Sequence, residues 1–414
     1  MINKNELPKN WKWVKTSEAI KIINNGYTPK SQFLSNGFGE IPFIKVYNLN
    51  FDGSLNFKKN PTFIPSATHQ SDLKRSICYP GDVLINIVGP PLGKVSIVTN
   101  QYPEWNINQA IVLFRPNEQI LSKYISYFLQ NPVTINWLEG TSKATAGQWN
   151  VKVSTCREIP LPLPPLAEQE RIVARIEELF SELDVGIASL KTAQAQLKTY
   201  RHAVLKYAFE GKLTNENVNE GELPKGWKWV KIVDVAESLD NLRIPINKTE
   251  RLKRVGDVPY YGANGRTGWI DDFLFDEPLI LVVEDETFTG RELPFSYKIT
   301  GKSWVNNHAH ILRSKFDLNL DYLNYQLAYY PFLPLTTGTT GRKKLTKLAL
   351  MNAPIKICSL AEQQRIVEEI ESRLSVCDKL EETISASLKQ SEALRQSILK
   401  QAFEGKLVQQ TSVC

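Results

Sequence analysis

A long apolar run is missing from this sequence, because no stretch of the 414 residues approaches the ~18 consecutive apolar residues of a membrane-spanning helix. Residues 1–15 are polar and include Trp11 and Trp13, so they lack the apolar segment of a signal peptide. The five cysteines are scattered and form no CxxC pair, which argues against a disulfide framework and a zinc ribbon. We therefore expect a cytoplasmic protein with reduced thiols.

Motifs of common DNA-processing enzymes are also missing. The two Pro-Pro pairs, Pro90-Pro91 and Pro164-Pro165, do not stand in the Asn/Asp-Pro-Pro-aromatic context expected of an amino-methyltransferase. The nearest approach to a GxxxxGK[ST] phosphate loop, Gly89 to Val95, is too short and lacks the hydroxyl residue. These absences favour a chain without a catalytic site of its own.

The net charge of +6 is small, but its distribution is uneven. Residues 1–165 and 223–359 carry +7 and +4, whereas residues 166–222 and 360–414 carry −3 and −2. Two basic blocks therefore alternate with two acidic ones. Basic globular blocks beside acidic helices favour contact between the globular parts and a polyanion.

Three motifs occur twice and mark a tandem repeat. LPKNWKWVK at 7–15 returns as LPKGWKWVK at 223–231, an offset of 216. LAEQERIV at 166–173 returns as LAEQQRIV at 360–367, and AFEGKL at 208–213 returns at 402–407, both at an offset of 194. The sequence therefore predicts one unit, a globular head followed by a long helix, that is present twice.

The repeat divides the chain into four predicted segments: a first head (1–165), a central helix and linker (166–222), a second head (223–359) and a C-terminal helix (360–414). The heads are related but divergent. Asn108–Leu113 pairs with Asn307–Leu312, and Gly147-Gln148 with Gly341-Arg342, while most other positions differ. Similar helices with different heads indicate one task carried out on two targets.

Both long segments have a seven-residue apolar period, which is typical of a coiled coil. Pro164-Pro165 prevents backward extension of the first helix, and Gly211 and Gly405 are placed to end the two helices. We predict that the helices pair antiparallel within the chain; packing of each helix on its own head, or homodimerisation, are the alternatives. The predicted seam residues are Ile176, Leu183, Leu190, Leu197 and Val204 in one helix and Ile370, Cys377, Ile384, Ser391 and Ile398 in the other, with companions that include Tyr200, Leu380 and Leu394.

The heads are predicted to be mostly β, which makes the chain an α+β protein with pseudo-two-fold repeat symmetry. Strand-like runs broken by Pro-Gly and Gly turns include Val83–Val88, Ile111–Phe114 and Leu279–Val283. Short helices are expected over Ser122–Gln130 and Leu320–Ala328.

Loops of the heads hold the candidate DNA-binding residues. Arg reads guanine and Asn or Gln reads adenine through paired hydrogen bonds, while Lys and hydroxyl groups suit phosphates. A solvated turn is the simpler interpretation of any single one of these loops, and their matching placement in both heads favours a shared role. The candidates are Lys45, Tyr47, Asn48, Lys74, Arg75, Ser142, Lys143 and Gln148 in the first head, and Tyr261, Asn264, Arg266, Thr339, Thr340, Arg342, Lys343 and Lys344 in the second.

Two clusters leave other functions open. His308 and His310 alternate as strand neighbours on one face do, so they could bind a metal. Glu284–Glu286, with carboxylates in the range 271–276, could hold Mg²⁺ for a nuclease. The first head shows neither cluster, so we interpret them as a metal-free histidine pair and an acidic turn. An autonomous DNA enzyme and a coiled-coil scaffold without nucleic acid remain the rival hypotheses.

The repeated motifs resemble those of the specificity subunits of Type I restriction–modification systems. The resemblance rests on PLAEQERIV at 165–173 and its copy, which begins with Ser359, and on the AFEGKL helix ends and the LPxxW starts. YGANG at 261–265 and the run 338–345 resemble a recurring head type of that family.

The resemblance implies a non-catalytic DNA-binding subunit. Each head would read one half of an interrupted double-stranded DNA sequence, and the helices would set the gap and dock two methyltransferase subunits. The resemblance places S-adenosylmethionine in those methyltransferases, and ATP and Mg²⁺ in separate restriction/translocase subunits. No cofactor is expected in this chain.

Overall fold

The computed structural model describes residues 7–142, 144–145, 148–215, 218–219, 221–286, 288–315, 318–338 and 343–409. The chain forms two compact units, one made of Met1–Leu190 with Ala386–Cys414 and the other of Lys191–Ser385. Each unit therefore contains one head, the first part of one long helix and the last part of the other.

Short strands in several small sheets make up most of the first head. The strands are β1 Lys12–Lys15, β2 Ile20–Asn25, β3 Ser35–Asn36, β4 Ile41–Ile44, β5 Thr62–Ile64, β6 Ile77–Cys78, β7 Val83–Asn86, β8 Val88–Gly89, β9 Val95–Ile97, β10 Trp105–Ile107, β11 Ile111–Pro116, β12 Ala144–Thr145, β13 Gln148–Asn150 and β14 Pro160–Leu163. The helices are α1 Thr16–Ala19, α2 Ser66–Gln70, α3 Ser122–Gln130, α4 Pro132–Thr141, α5 Val153–Arg157 and the long α6 Leu166–Phe209.

The second head repeats this plan. Its strands are β15 Lys228–Lys231, β16 Ala236–Ser238, β17 Val258–Gly262, β18 Gly265–Ile270, β19 Phe275–Asp276, β20 Leu279–Val283, β21 Asp285–Glu286, β22 Ser296–Ile299, β23 Lys302–Val305, β24 Ala309–Ser314, β25 Thr336–Thr337, β26 Lys343–Leu345 and β27 Pro354–Ile357. The helices are α7 Ile232–Val235, α8 Lys248–Arg251, α9 Leu320–Ala328, α10 Lys347–Asn352 and the long α11 Leu360–Phe403.

Sheet order shows that the two heads share one topology. The order β2-β11-β7-β9 in the first head matches β16-β24-β20-β22 in the second, and β12-β13-β8 matches β25-β26-β21. Strands β4 and β10 pair in parallel, as do β17 and β23. The first head adds β3 and β5 beside β4, where the second has the hairpin partner β18. The predicted α+β tandem repeat is confirmed, and α3 and α9 have the predicted bounds.

In the first unit, the two long helices pack antiparallel over an apolar core. Ile172 and Ile176 share this core with Ile398 and Phe403. The Asp184 carboxylate of α6 pairs with the Arg395 guanidinium of α11. This pair belongs to an antiparallel register, in which residues further along α6 lie beside residues earlier in α11.

The second unit repeats this packing. Val204 and Ala208 share a core with Ile366 and Ile370. The Arg201 guanidinium lies 2.6 Å from the Asp378 carboxylate. Since 184 and 201 become 378 and 395 when 194 is added, the same ion pair is formed once in each unit.

All ten predicted seam residues are buried or half-buried. Ile176, Val204, Ile370, Cys377, Ile384 and Ile398 are buried, and Leu183, Leu190, Leu197 and Ser391 are half-buried. The prediction is wrong for three companions: Tyr200 is 43% exposed and Leu380 and Leu394 are each 47% exposed. They lie beside the seam, where the two-helix interface is too narrow to cover them.

The repeated motifs have packing roles. The Gln169 side chain is buried at the start of α6, where its Nε2 donates to the Pro164 carbonyl and its Oε1 accepts from the Leu121 amide. Gln363 makes the same bonds to Cys358 and Asn319. This glutamine therefore joins the long helix to the short helix of its head, which explains its presence in both copies.

Candidate nucleic-acid interface

One loop with candidate DNA-binding residues begins at the same place of the scaffold in each head. The Asn108 amide donates to the Ile44 carbonyl at 3.1 Å, and the Asn306 amide donates to the Tyr261 carbonyl at 3.0 Å. Ile44 and Tyr261 therefore occupy equivalent places at the ends of the parallel strands β4 and β17. Lys45 follows the first strand directly, and the hairpin loop that holds Asn264 follows the second.

These bonds correct the predicted alignment of the heads by one residue, because Asn108 corresponds to Asn306 and not to Asn307. The Val151 amide donates to the Ile87 carbonyl at 2.9 Å, and the Leu345 amide donates to the Glu284 carbonyl at 2.8 Å. The pairing of β11 with β7 and of β24 with β20 has the same register. Val112 of the first head is therefore the structural equivalent of His310 of the second. Sequence comparison missed the shift because the number that separates equivalent residues of the two repeats is not the same in this strand as in the helices.

The β17–β18 hairpin presents a cation over an aromatic ring. The Arg266 guanidinium lies 4.3 Å from the Trp269 ring centroid, and both side chains are exposed. The Asn264 Oδ1 accepts a hydrogen bond of 2.8 Å from Arg291. Tyr261 is half-buried beside Tyr297. Arginine on an aromatic ring offers both charge and a planar surface to nucleic acid, and the sequence interpretation missed the partner Trp269.

Two of the predicted phosphate-binding lysines lie on β26. This strand pairs with β21 on one side and β25 on the other. Lys344 is exposed, and its Nζ lies 3.0 Å from a carboxylate oxygen of Glu284. Lys343 is half-buried. The candidates Thr339, Thr340 and Arg342 lie outside the described residues.

The turn of residues 306–308 links the hairpin to β21 and β26. A Cβ atom added at Gly262 would lie 3.1 Å from the side-chain Nδ2 of Asn306, so the hairpin packs closely on this turn. His308 at the far end of the turn places its Nδ1 2.7 Å from Asp285 in β21. We name the surface formed by Asn264, Arg266, Trp269, His308 and Lys344 the second-head polar face. A cleft beside it is lined by Lys248, Arg251, Tyr260, Thr267, Asn306 and Asn307.

Beneath the second-head polar face lies a buried ion cluster of Asp240, Arg243, Glu284 and His310. The His310 Nδ1 lies 2.6 Å from Asp240, and Arg243 donates to Glu284. Burial alone would raise the pKa of Asp240, but the hydrogen bond and charge of His310 outweigh it and hold the pKa below its ordinary value. Burial likewise opposes the lowered pKa of Glu284, which results from Arg243, His310 and Lys344. The carboxylates predicted as a nuclease alternative are thus partly occupied by ion pairs.

In the first head, Lys45 and Tyr47 remain candidates, but Asn48 has a structural role. Asn48 is 0% exposed, and its Nδ2 donates to the carbonyls of Asn56 and Lys59 at 3.1 and 2.9 Å. Its amide is thus occupied in holding the following loop, and it cannot reach a base edge. We therefore leave Asn48 out of the proposed interface.

The other first-head candidates differ in accessibility. Lys74 and Arg75 are exposed in a short turn. Ser142 is half-buried, and its hydroxyl donates to the Leu138 carbonyl at 2.6 Å. Lys143 and the side chain of Gln148 lie outside the described residues. Sequence reasoning missed Phe51, which is 52% exposed with the Lys94 ammonium 5.7 Å from its ring centroid.

Within the described residues, no group of three or more His, Cys, Asp or Glu side chains could hold a metal ion. In the described part of the chain, no helix is both long enough and apolar enough to cross a membrane.

Comparison with known proteins identifies relatives along the whole chain. The family model for the Type I restriction modification DNA specificity domain matches residues 8–190 and 224–390. The Type I restriction enzyme StySPI specificity subunit of Salmonella potsdam is 26% identical over 99% of this chain and 92% of its own. The EcoKI specificity subunit of Escherichia coli K12 is 24% identical over 98% and 91%.

A solved structure supports the fold. It concerns complex assembly and conformational transition of the type I R-M system, and one of its chains matches with a TM-score of 0.74 at 19% identity. The match covers 97% of this chain and 100% of that one. At this identity the likeness shows a shared fold.

Proposed function

The chain belongs to the family of Type I restriction modification DNA specificity domains, and from this premise we propose that it is the DNA-reading subunit of a Type I restriction–modification complex. Each head reads one half of a bipartite site in double-stranded DNA. The paired helices set the gap between the halves and dock two methyltransferase subunits. The chain itself catalyses no reaction.

The observation that carries this proposal is the equivalent placement of divergent polar loops. The hydrogen bonds to Ile44 and Tyr261 align the two scaffolds residue by residue. From that shared place, one head presents Lys45 and Tyr47, and the other presents the hairpin with Asn264 and Arg266. One scaffold with different side chains at one place suits the reading of two different base sequences.

Phosphate contacts supply the affinity in this proposal. Lys344 on β26 and Lys74 and Arg75 in the first head are exposed cations on the heads. Such groups hold a protein on the duplex by releasing counterions, and they carry no sequence information. The Arg266–Trp269 pair is the stronger candidate for a base or sugar contact, because it combines a fork of donors with a flat apolar ring.

The repeated helix packing supports the partner assignment. The Asp184–Arg395 and Arg201–Asp378 pairs give each unit the same helix register. Beside this seam, Tyr200 and Leu394, which are equivalent in the repeat, are exposed. We assign such surfaces to two equivalent methyltransferase subunits, which would bring S-adenosylmethionine, while restriction/translocase subunits would bring ATP and Mg²⁺ in the cytoplasm.

Co-expression with the methyltransferase subunit of the same system, followed by single-molecule mapping of methylated DNA, tests this function. We expect methylation at one motif made of two short defined sequences around a fixed gap. A stable complex that methylates no new motif would contradict the proposal and favour a scaffold. A matched control with an empty expression vector defines the background methylation of the host.

A further inference from the structure

The buried ion cluster distinguishes the second head from the first. His310 is 1% exposed and Glu284 is 7% exposed. At the equivalent places the first head has Val112 and Ile87, which are 0% and 5% exposed and belong to its apolar core. The shared scaffold therefore folds around apolar side chains at these positions and does not require the ions.

Both ring nitrogens of His310 face hydrogen-bond acceptors. The Nδ1 lies 2.6 Å from the Asp240 carboxylate, and the Nε2 lies 2.7 Å from the Leu345 carbonyl oxygen. An ionised carboxylate and a carbonyl oxygen can only accept, so both ring nitrogens are placed to donate. The second carboxylate, Glu284, lies 3.9 Å away, and Arg243 balances it.

The cluster bonds directly to β26, the strand that carries Lys344 of the second-head polar face. His310 donates to the Leu345 carbonyl, and the Leu345 amide donates to the Glu284 backbone carbonyl at 2.8 Å. The Glu284 side chain also holds the Lys344 ammonium at 3.0 Å. The backbone bond also occurs in the first head, between Val151 and Ile87. The bonds that the ions add are therefore that of His310 to the Leu345 carbonyl and that of Glu284 to the Lys344 ammonium.

A buried ion pair stabilises a fold little or not at all compared with apolar side chains of the same volume, because its desolvation is costly. The apolar pair Val112 and Ile87 in the first head shows that this replacement is compatible with the scaffold. The ions add directional hydrogen bonds, which fix the position of β26. Apolar contacts alone would allow this strand to shift along its neighbours.

We propose that His310 is a positioning residue for DNA recognition by the second head, because its bonds to Asp240 and Leu345 fix strand β26 and its lysines against the DNA. The inference rests on the proposed function of the heads. It predicts an asymmetry, since loss of the cluster weakens the reading of one half-site and leaves the other unchanged.

The first test measures hydrogen exchange in the full chain. In His310→Gln, the amides of residues 343–345 should exchange at least about tenfold faster than in the wild type, since each tenfold reflects one lost bond of ordinary strength. The equivalent amides 149–151 of the first head should not change. Asp240→Asn, which keeps the shape of the side chain, should have the same effect if His310→Gln folds poorly. Unchanged exchange at 343–345 in both variants would overturn the inference.

His69→Gln is a matched control, because His69 is also buried beside a carboxylate but lies in the first head. Its Nε2 is 3.1 Å from Glu104, and its Nδ1 accepts from Asn106 at 3.0 Å. This variant should leave exchange at residues 343–345 unchanged. Faster exchange there would show a general loss of stability and would contradict a specific role for His310.

Nitrogen NMR of the full chain labelled at histidine provides a signature that loss of packing does not produce. We expect the His310 ring to carry protons on both nitrogens and the His69 ring to carry one, on Nε2, since its Nδ1 accepts. The signals are assigned from the two glutamine variants. A singly protonated His310 ring under the conditions of the binding assay would overturn the inference.

The last test separates the inference from the proposed function. The probes are duplexes with both half-sites found by methylation mapping, or with one half scrambled. His310→Gln should lose about tenfold in affinity for duplexes with an intact second-head half-site, near the cost of one mismatched pair. The variant should keep wild-type affinity for duplexes in which only the first-head half-site is intact. If the wild type binds scrambled and intact half-sites equally, the proposed function fails. If the wild type discriminates and His310→Gln discriminates the second-head half-site equally well, the proposed function stands and the inference fails.

Discussion

A methyl group added at Gly405 should destabilise the first unit. Gly405 ends α11 with a φ of +70°, in the left-handed region that costs a residue with a Cβ about 1–2 kcal/mol. That Cβ would lie 2.4 Å from the Cγ and 2.8 Å from the Cδ of Pro8. The Pro8 ring cannot move away freely, because its carbonyl accepts from the amide of Trp11, which is buried in the core.

The two effects together should lower the free energy of unfolding by about 3 kcal/mol in Gly405→Ala, since overpacking adds about 1–3 kcal/mol to the backbone strain. Urea unfolding followed by tryptophan fluorescence measures this change. Gly211→Ala is the equivalent variant in the second unit, with a φ of +78° and a contact of 2.2 Å to Pro224.

Gly186 provides the matched control. It lies within α6, and a Cβ there would meet no atom within 4 Å. Gly186→Ala should therefore stabilise the chain by about 1 kcal/mol, the difference in helix propensity. If Gly405→Ala unfolds within 0.5 kcal/mol of the wild type, the close approach of the helix end to Pro8 is not a constraint and the packing account of the repeated motif is refuted.

Three further predictions concern the helix seam, the ion cluster and the polar face. Ile176→Ala should cost about 3 kcal/mol by chemical unfolding, whereas Val185→Ala, which is exposed, should cost under about 0.5; equal costs would contradict the seam. The lowered pKa values of Asp240 and Glu284 stabilise the fold above their ordinary values of 3.8 and 4.5, and this stability is lost as the pH falls through the lower folded values. Acid unfolding of Asp240→Asn should therefore be less steep than that of the wild type, and an identical slope would count against the cluster. Lys344→Gln should reduce the salt dependence of DNA binding by about one phosphate contact, measured as the slope of log affinity against log salt; an unchanged slope would remove Lys344 from the interface.

The long helices could be predicted from sequence because their period is local and repeated. Both run from the predicted Leu to the Phe of the AFEGKL motif. The exposed companions Leu380 and Leu394 could not be predicted, since heptad spacing alone does not say how many helices share a seam.

The candidate interface was only partly predictable. The hairpin loop at Asn264 and Arg266 stands out by its glycines, but the place of Trp269 under Arg266 depends on the strand register. The ion cluster joins Asp240 and His310, which are 70 residues apart. Asn48 resembles a base-reading amide in sequence. Its burial could not be predicted, because it depends on contacts with a loop that ends at Asn60. Long-range pairing of this kind has no local signal.

The spacing of the methylated motif tests the central claim most directly. If the heads read the half-sites and the long helices set the gap, the gap can change while the two half-site sequences stay the same. Methylation should be mapped for the wild type and for a variant with one heptad inserted into α6 near residue 190. We expect both half-sequences to stay the same while the gap between them changes. A changed half-sequence, or an insertion variant that methylates the original motif with its original gap, would contradict it.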